Sequence, residues 1–136
     1  MKKTFAIVND LRQLDLVHET LTGFLADAGV GTELAEEMFL VAEEVIANTI
    51  SYGYEDEDVH RIELALSFTD GLFRMRFRDD AKAFDPLAAE APDLDAPTEE
   101  RGIGGLGIHL VRTLTDDASY RREGDANILT VERRVS

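Results

Sequence analysis

Three groups of residues are spaced for work on a phosphorylated ligand. Arg101-Gly102-Ile103-Gly104-Gly105-Leu106-Gly107 places four glycines within six residues, directly before the helix-like run from Ile108 to Leu114. Backbone N–H groups at a helix start gather partial positive charge, and missing Cβ atoms let phosphate oxygens approach the main chain. The spacing is neither that of a P-loop nor that of a dinucleotide-binding fingerprint. Upstream, Glu44 and Asn48 lie four apart on a helical stretch and therefore project from one face. The amide oxygen can ligate a hard cation such as Mg²⁺, and the carboxylate can orient or deprotonate a nucleophile. Between these groups, Asp79 opens Asp79-Asp80-Ala81-Lys82-Ala83-Phe84-Asp85-Pro86 at a strand end. A carboxylate pointing from there into a pocket can accept a hydrogen bond from the exocyclic amine of adenine.

Taken singly, each group has a plainer explanation. A glycine run is often a turn before a helix, Glu44 and Asn48 could decorate a solvated helix face, and Asp and Pro are ordinary turn formers. Their order along the chain is what raises them above it.

The elements that must position these residues are readable from periodicity. Thr4 to Val8 reads as a short strand, and Asp10 with Gln13 as a capping-box-like start. The following helix carries Leu11, Leu14, Val17, Leu21, Phe24 and Leu25 at helical spacing and stops near Gly29. A second helix starts at Thr32, carries Leu34, Met38, Val41, Ala42 and Val45, and ends at Gly53. From Val59 the period becomes two. Ile62, Leu64, Leu66 and Phe68 precede the turn Asp70-Gly71, after which Phe73, Met75 and Phe77 alternate with Arg74, Arg76 and Arg78 on an exposed face. Leu87 to Glu100, rich in Ala, Pro, Asp and Glu, reads as a mobile loop. Ala118 to Glu123, Gly124-Asp125 and Asn127 to Val135 read as a final hairpin.

Composition bounds the partners. A chain of 136 residues, 44% hydrophobic and 31% charged, suits one domain spanning 1–136. With 14 Lys and Arg against 28 Asp and Glu, the formal charge is −14, which disfavours nucleic acid and anionic membranes. A bound polyphosphate would need local neutralisation, most simply by a divalent cation. Cysteine is absent, removing disulfides and thiolate chemistry. The apolar run Phe5 to Val8 is too short for a signal-peptide core, so a cytoplasmic location is expected.

In this order and with these gaps, E-x-x-x-N, D-D-A-K-A-F-D-P and R-G-I-G-G-L-G resemble the N, G1 and G2 boxes of the GHKL ATPases. The F-D-P detail and the closing Tyr120 with Gly124-x-x-Asn127-x-x-Thr130 resemble the anti-sigma-factor serine/threonine kinase branch, the RsbW and SpoIIAB type. The resemblance implies a Bergerat-type α/β two-layer sandwich, with helices on one face of a mixed, mainly antiparallel sheet. It implies ATP and Mg²⁺ as ligands, Glu44 as general base and Asn48 as metal ligand. Asp79 would read adenine, with Ala81 and Phe84 beside it. The stretch Arg101, Gly102, Ile103, Gly104, Gly105, Leu106 and Gly107 would bind phosphate, and Thr130 would set a hydroxyl near adenine. Residues 87–101 would form the ATP lid. The implied substrate is a serine or threonine of an anti-sigma-factor antagonist of STAS type, and the implied kinase also sequesters a sigma factor as a homodimer.

Three positions depart from the resembled pattern. Ala81 stands where the G1 box usually has Gly, Tyr52 where His often follows the N box, and His18 where relatives carry a partner-contacting Arg. The Ala81 departure motivates a second reading, a catalytically weak nucleotide-gated module that acts by sequestration. A histidine-kinase fragment using His18 fits less well, because one helix precedes the N box and a dimerisation hairpin needs two.

Overall fold

The computed structural model describes residues 1–88 and 105–135. Its order is β1 (Lys2–Val8), α1 (Leu14–Asp27), α2 (Thr32–Tyr52), β2 (Arg61–Thr69), β3 (Leu72–Asp79), α3 (Gly105–Leu114), β4 (Asp117–Glu123) and β5 (Ala126–Arg134). The strands form one sheet in the order β1-β2-β3-β5-β4. The sheet expected to be mainly antiparallel is antiparallel in every described pairing.

Local chemistry explains the boundaries. The Asp10 carboxylate accepts from the Arg12 N–H and caps a 3-10 turn over Leu11–Gln13, so α1 proper begins at Leu14. Gln13 turns its Oε1 to the Val8 N–H at 3.3 Å instead of completing a capping box with Asp10. Gly29, at φ +81°, closes the end of α1, and Gly53 caps α2. Asp70 and Gly71 both have positive φ, the signature of the tight turn that matches strand twist.

The alternation of β3 sorts its residues between two environments. Phe73, Met75 and Phe77 are buried, each a contribution of about 1.5–3 kcal/mol from burial. They face Val17, Leu21, Met38, Val41 and Ile46 of α1 and α2 in one hydrophobic core. Arg74, Arg76 and Arg78 point to the other side and are exposed. Antiparallel sheets tolerate one solvated face, and here all three described helices leave that face uncovered by helix. The last core residue of β3 is the polar Asp79, which lies where the inward face runs out beside the C-terminal end of α2.

Candidate functional site

Asp79 sits at the end of β3 and is 9% exposed. A buried carboxylate needs donors, and it has two: the Ala81 N–H and Asn127 Nδ2 both donate to its Oδ1, each at 3.0 Å. Burial raises the affinity of this carboxyl for protons above the ordinary range, while Asn127, Ala81 and the charge of Arg122 act in the opposite direction.

Asn127 is the hub of this corner. It is paired directly with Asp79 across the β3–β5 ladder and is 7% exposed. Its Nδ2 also donates to the carbonyls of Ala81 at 3.2 Å and Lys82 at 3.0 Å. Its Oδ1 accepts from the Tyr120 hydroxyl at 2.5 Å and from Arg122 at 3.1 Å. Because each end of the amide faces partners of the opposite kind, its orientation is fixed. Asn127 thereby stitches the Ala81–Lys82 backbone to β5.

A cleft open to solvent is lined by this pair. Val45, Phe77 and Leu129 line its apolar part, and Asn48, Asp79 and Asn127 supply polar groups. Tyr52, Lys82, Phe84 and Tyr120 also border it. A mainly apolar slot with a few convergent polar groups is the usual form of a small-molecule site. The Asn48 Nδ2 atom is buried without a hydrogen-bond partner among the described residues. Burial also raises the carboxyl of half-buried Glu44 above its usual value, with the Glu43 charge adding to the effect.

The expected site residues fall into three sets. Asn48, Asp79, Ala81 and Phe84 come together at the cleft, whereas Glu44 belongs to the same helix as Asn48 but is not among the lining residues. Thr130 is not brought there. It is paired with Arg76 and Ser119, and strand alternation turns it to the face opposite Asp79 and Leu129. The polar side chain that β5 sets beside Asp79 is that of Asn127. Arg101, Gly102, Ile103 and Gly104, with most of the expected lid, lie outside the described residues. Gly105 opens α3, so Gly105, Leu106 and Gly107 belong to the first turn of the helix rather than to a loop before it.

The departures are also resolved locally. Among the described non-glycine residues only Asp70 has positive φ, so Ala81 sits in an ordinary conformation. Its methyl packs where Gly53 offers no side chain: a Cβ on Gly53 would stand 2.7 Å from the Ala81 Cβ and 2.6 Å from the Thr49 carbonyl oxygen. Lys82 N–H donates to the Gly53 carbonyl at 3.0 Å, closing the same contact. His18 is engaged on the helical side, with Nε2 2.8 Å from Glu36 and its ring edge-on to Phe39.

Residues 7–133 match the family described as the histidine kinase-like ATPase domain. This chain belongs to that family. Among curated proteins, the histidine kinase-like ATPase chain is 27% identical over 116 residues to the serine-protein kinase RsbW of Listeria monocytogenes serotype 4a, covering 82% of this chain and 74% of that protein. It is 22% identical over 125 residues to RsbW of Staphylococcus epidermidis, covering 88% and 78%. The solved structure of the RsbU and RsbW domains of Rv1364c from Mycobacterium tuberculosis superposes with a TM-score of 0.69 at 17% identity over 99% of this chain. A blue-light activated histidine kinase from Erythrobacter litoralis follows with a TM-score of 0.57 at 22% identity over 79%. The chain spans 32% of the length of each of those two solved chains, and the likeness to them is one of fold.

Proposed function

We propose that this chain binds ATP in the cleft and, with Mg²⁺, transfers the γ-phosphoryl group to a serine or threonine hydroxyl of a protein partner. The observation that carries this reading is the buried Asp79 carboxylate, pinned through Oδ1 by Asn127 and Ala81 at the polar end of an otherwise apolar slot. Such a carboxylate accepts from a purine amine, while Phe77, Leu129 and Val45 supply the flat apolar walls a base requires. Family membership supports ATP as the nucleotide.

Asn48 fits one position in a hard-cation shell. Its amide borders the cleft; the oxygen would be the ligand, and the buried nitrogen, without a hydrogen-bond partner among the described residues, is a donor left for a bound phosphate oxygen. No cluster of three or more His, Asp or Glu stands ready among those residues, so phosphate oxygens and water would complete the shell. Bound there, Mg²⁺ would neutralise charge on the transferring phosphate. Glu44, one helical turn earlier, would take the hydroxyl proton as the new P–O bond forms and the bond to ADP breaks. A carboxyl with raised proton affinity is suited to that task. The resemblance of the three boxes and the likeness to proteins named RsbW support a regulatory setting. In that setting the substrate is an anti-sigma-factor antagonist of STAS type, and the kinase also holds a sigma factor as a homodimer in the cytoplasm.

A second reading has its own support. Glu44 stands outside the cleft lining, as a nucleotide-gated binding module without transfer would allow. Labelled ATP and a STAS-type antagonist, incubated with the parent chain and with Glu44→Ala, separate the two. The kinase reading expects transfer by the parent and a loss of about a hundredfold or more in the variant, with ATP affinity kept. Transfer at the parental rate in Glu44→Ala removes Glu44 as the base, and ATP binding without any transfer establishes the module. A Mg-ATP titration of Asp79→Asn tests the pocket itself. Loss of a charged, buried hydrogen bond predicts weakening of about tenfold or more, and unchanged affinity would place the nucleotide elsewhere.

A further inference from the structure

The uncovered face of the sheet carries a concentration of positive charge that the nucleotide cleft does not use. Register and alternation put Arg61, Arg74, Arg76, Arg78, Arg121 and Arg134 on that face, all exposed, in a chain whose formal charge is −14. The carboxylates beside them are largely committed. Glu63 pairs with Arg61 at 3.4 Å, Glu132 with Arg74 at 3.5 Å and Glu123 with Arg121 at 3.3 Å. Arg76 and Arg78 have no ion pair among the described residues. Arg76 is flanked in register by Ala65 and Thr130, and Arg78 by Glu63 and Ile128. Ile128, between Arg78 and Arg121 in register, is 3% exposed although it points to this open side.

Arg74, Arg76 and Arg78 repeat every second residue, about 6.8 Å apart along the strand. That separation is inside the screening length at physiological salt, so the three repel one another and gain from shared counter-charge. An extended peptide presents alternate side chains at the same repeat, and a carboxylate can take both prongs of a guanidinium. We infer that this face docks an extended acidic segment of a protein partner, with Asp or Glu at alternate positions along β3.

Other occupants fit the charge distribution less well. A second copy placed face to face would oppose these arginines with their own equivalents. A second copy docking by its acidic remainder would make a contact that does not close on itself. A nucleic-acid duplex is broad enough to meet the negative remainder of the molecule, whereas a single extended segment meets only the sheet.

The inference is independent of the cleft, which lies on the helical side of β3. It is tested by fluorescence anisotropy with a labelled peptide of alternating Glu and Thr, a peptide of the same composition with its Glu residues blocked together, and a labelled DNA duplex. The parent chain should prefer the alternating peptide, and raising the salt should weaken binding. Arg76→Ser combined with Arg78→Ser should lose about tenfold in affinity while keeping the circular dichroism spectrum of the parent. Equal binding by that variant, no preference for the alternating spacing, or tighter binding of the duplex overturns the inference. So does a concentration-dependent dimer of the parent chain that the double variant abolishes.

Discussion

At the scale of single residues, Asp79 is a group whose burial opposes its charge. Its folded-state carboxyl binds protons more readily than an exposed aspartate, because burial outweighs the help of Asn127 and Ala81. The sign follows from linkage: a folded value above the unfolded one favours the fold at low pH and costs stability as pH rises through the folded value. Asp79→Asn keeps an oxygen that can accept from Asn127 and Ala81 and removes the charge. Its urea midpoint should therefore exceed that of the parent at neutral pH and converge with it in acid, while nucleotide affinity falls. A midpoint below the parent at pH 7 would show that the carboxylate is net stabilising where it stands. Asp79 was legible from the sequence because a strand-end carboxylate following the Phe73, Met75, Phe77 alternation points inward by parity alone. Asn127 was not, because its place beside Asp79 depends on the pairing of β3 with β5, strands separated in the chain by α3 and β4. The same register, invisible in one dimension, turns Thr130 away.

At the scale of elements, the join between α2 and β3 is held by two devices. One is steric. Gly53 lets Ala81 approach the end of α2, and a methyl there would meet both the Ala81 side chain and the Thr49 carbonyl. Gly53→Ala should cost about 1–3 kcal/mol in urea unfolding. Adding Ala81→Gly should restore only part of that, since the Thr49 carbonyl remains; full rescue would locate the whole clash at the Ala81 methyl. Gly53 was readable as a helix stop, but its fit to Ala81 joins two turns that no local pattern connects.

The second device is electrostatic. His60 lies between two carboxylates, with Nε2 2.7 Å from Asp56 and Nδ1 3.1 Å from Asp80, and stacks on Tyr54 at 4.1 Å. Hydrogen bonds to Asp56 and then Asp80 raise the His60 value, and the bond from His60 lowers that of Asp56. The imidazolium therefore contributes stability fully below its unfolded value of about 6.5, and that contribution is lost as pH rises through the folded value. The Asp56 contribution is present above about 3.9 and lost as pH falls through its own lowered value. The midpoint difference between the parent and His60→Gln should accordingly be largest at mildly acidic pH and shrink as pH rises through the raised folded value. A difference that is flat with pH would mean that packing on Tyr54, and not charge, is what His60 supplies. No helix among the described residues is long and apolar enough to cross a membrane.

At the scale of the whole molecule, the site is assembled from α2, β3 and β5, with the two strands adjacent in the sheet and distant in sequence. The layer architecture was legible because period changes mark each element: helical spacing to Gly53, a period of two read from Val59, and a second alternating pair after α3. What periodicity could not convey was how charge is divided between the two sides of the sheet. The Arg74, Arg76, Arg78 alternation is plain in the sequence, yet Arg61, Arg121 and Arg134 join it only through pairing. A molecule with one cationic wall and an anionic bulk carries a large electric moment. In the field of any highly charged body it rotates before it touches, so the side that makes first contact is chosen during approach and not at the moment of collision.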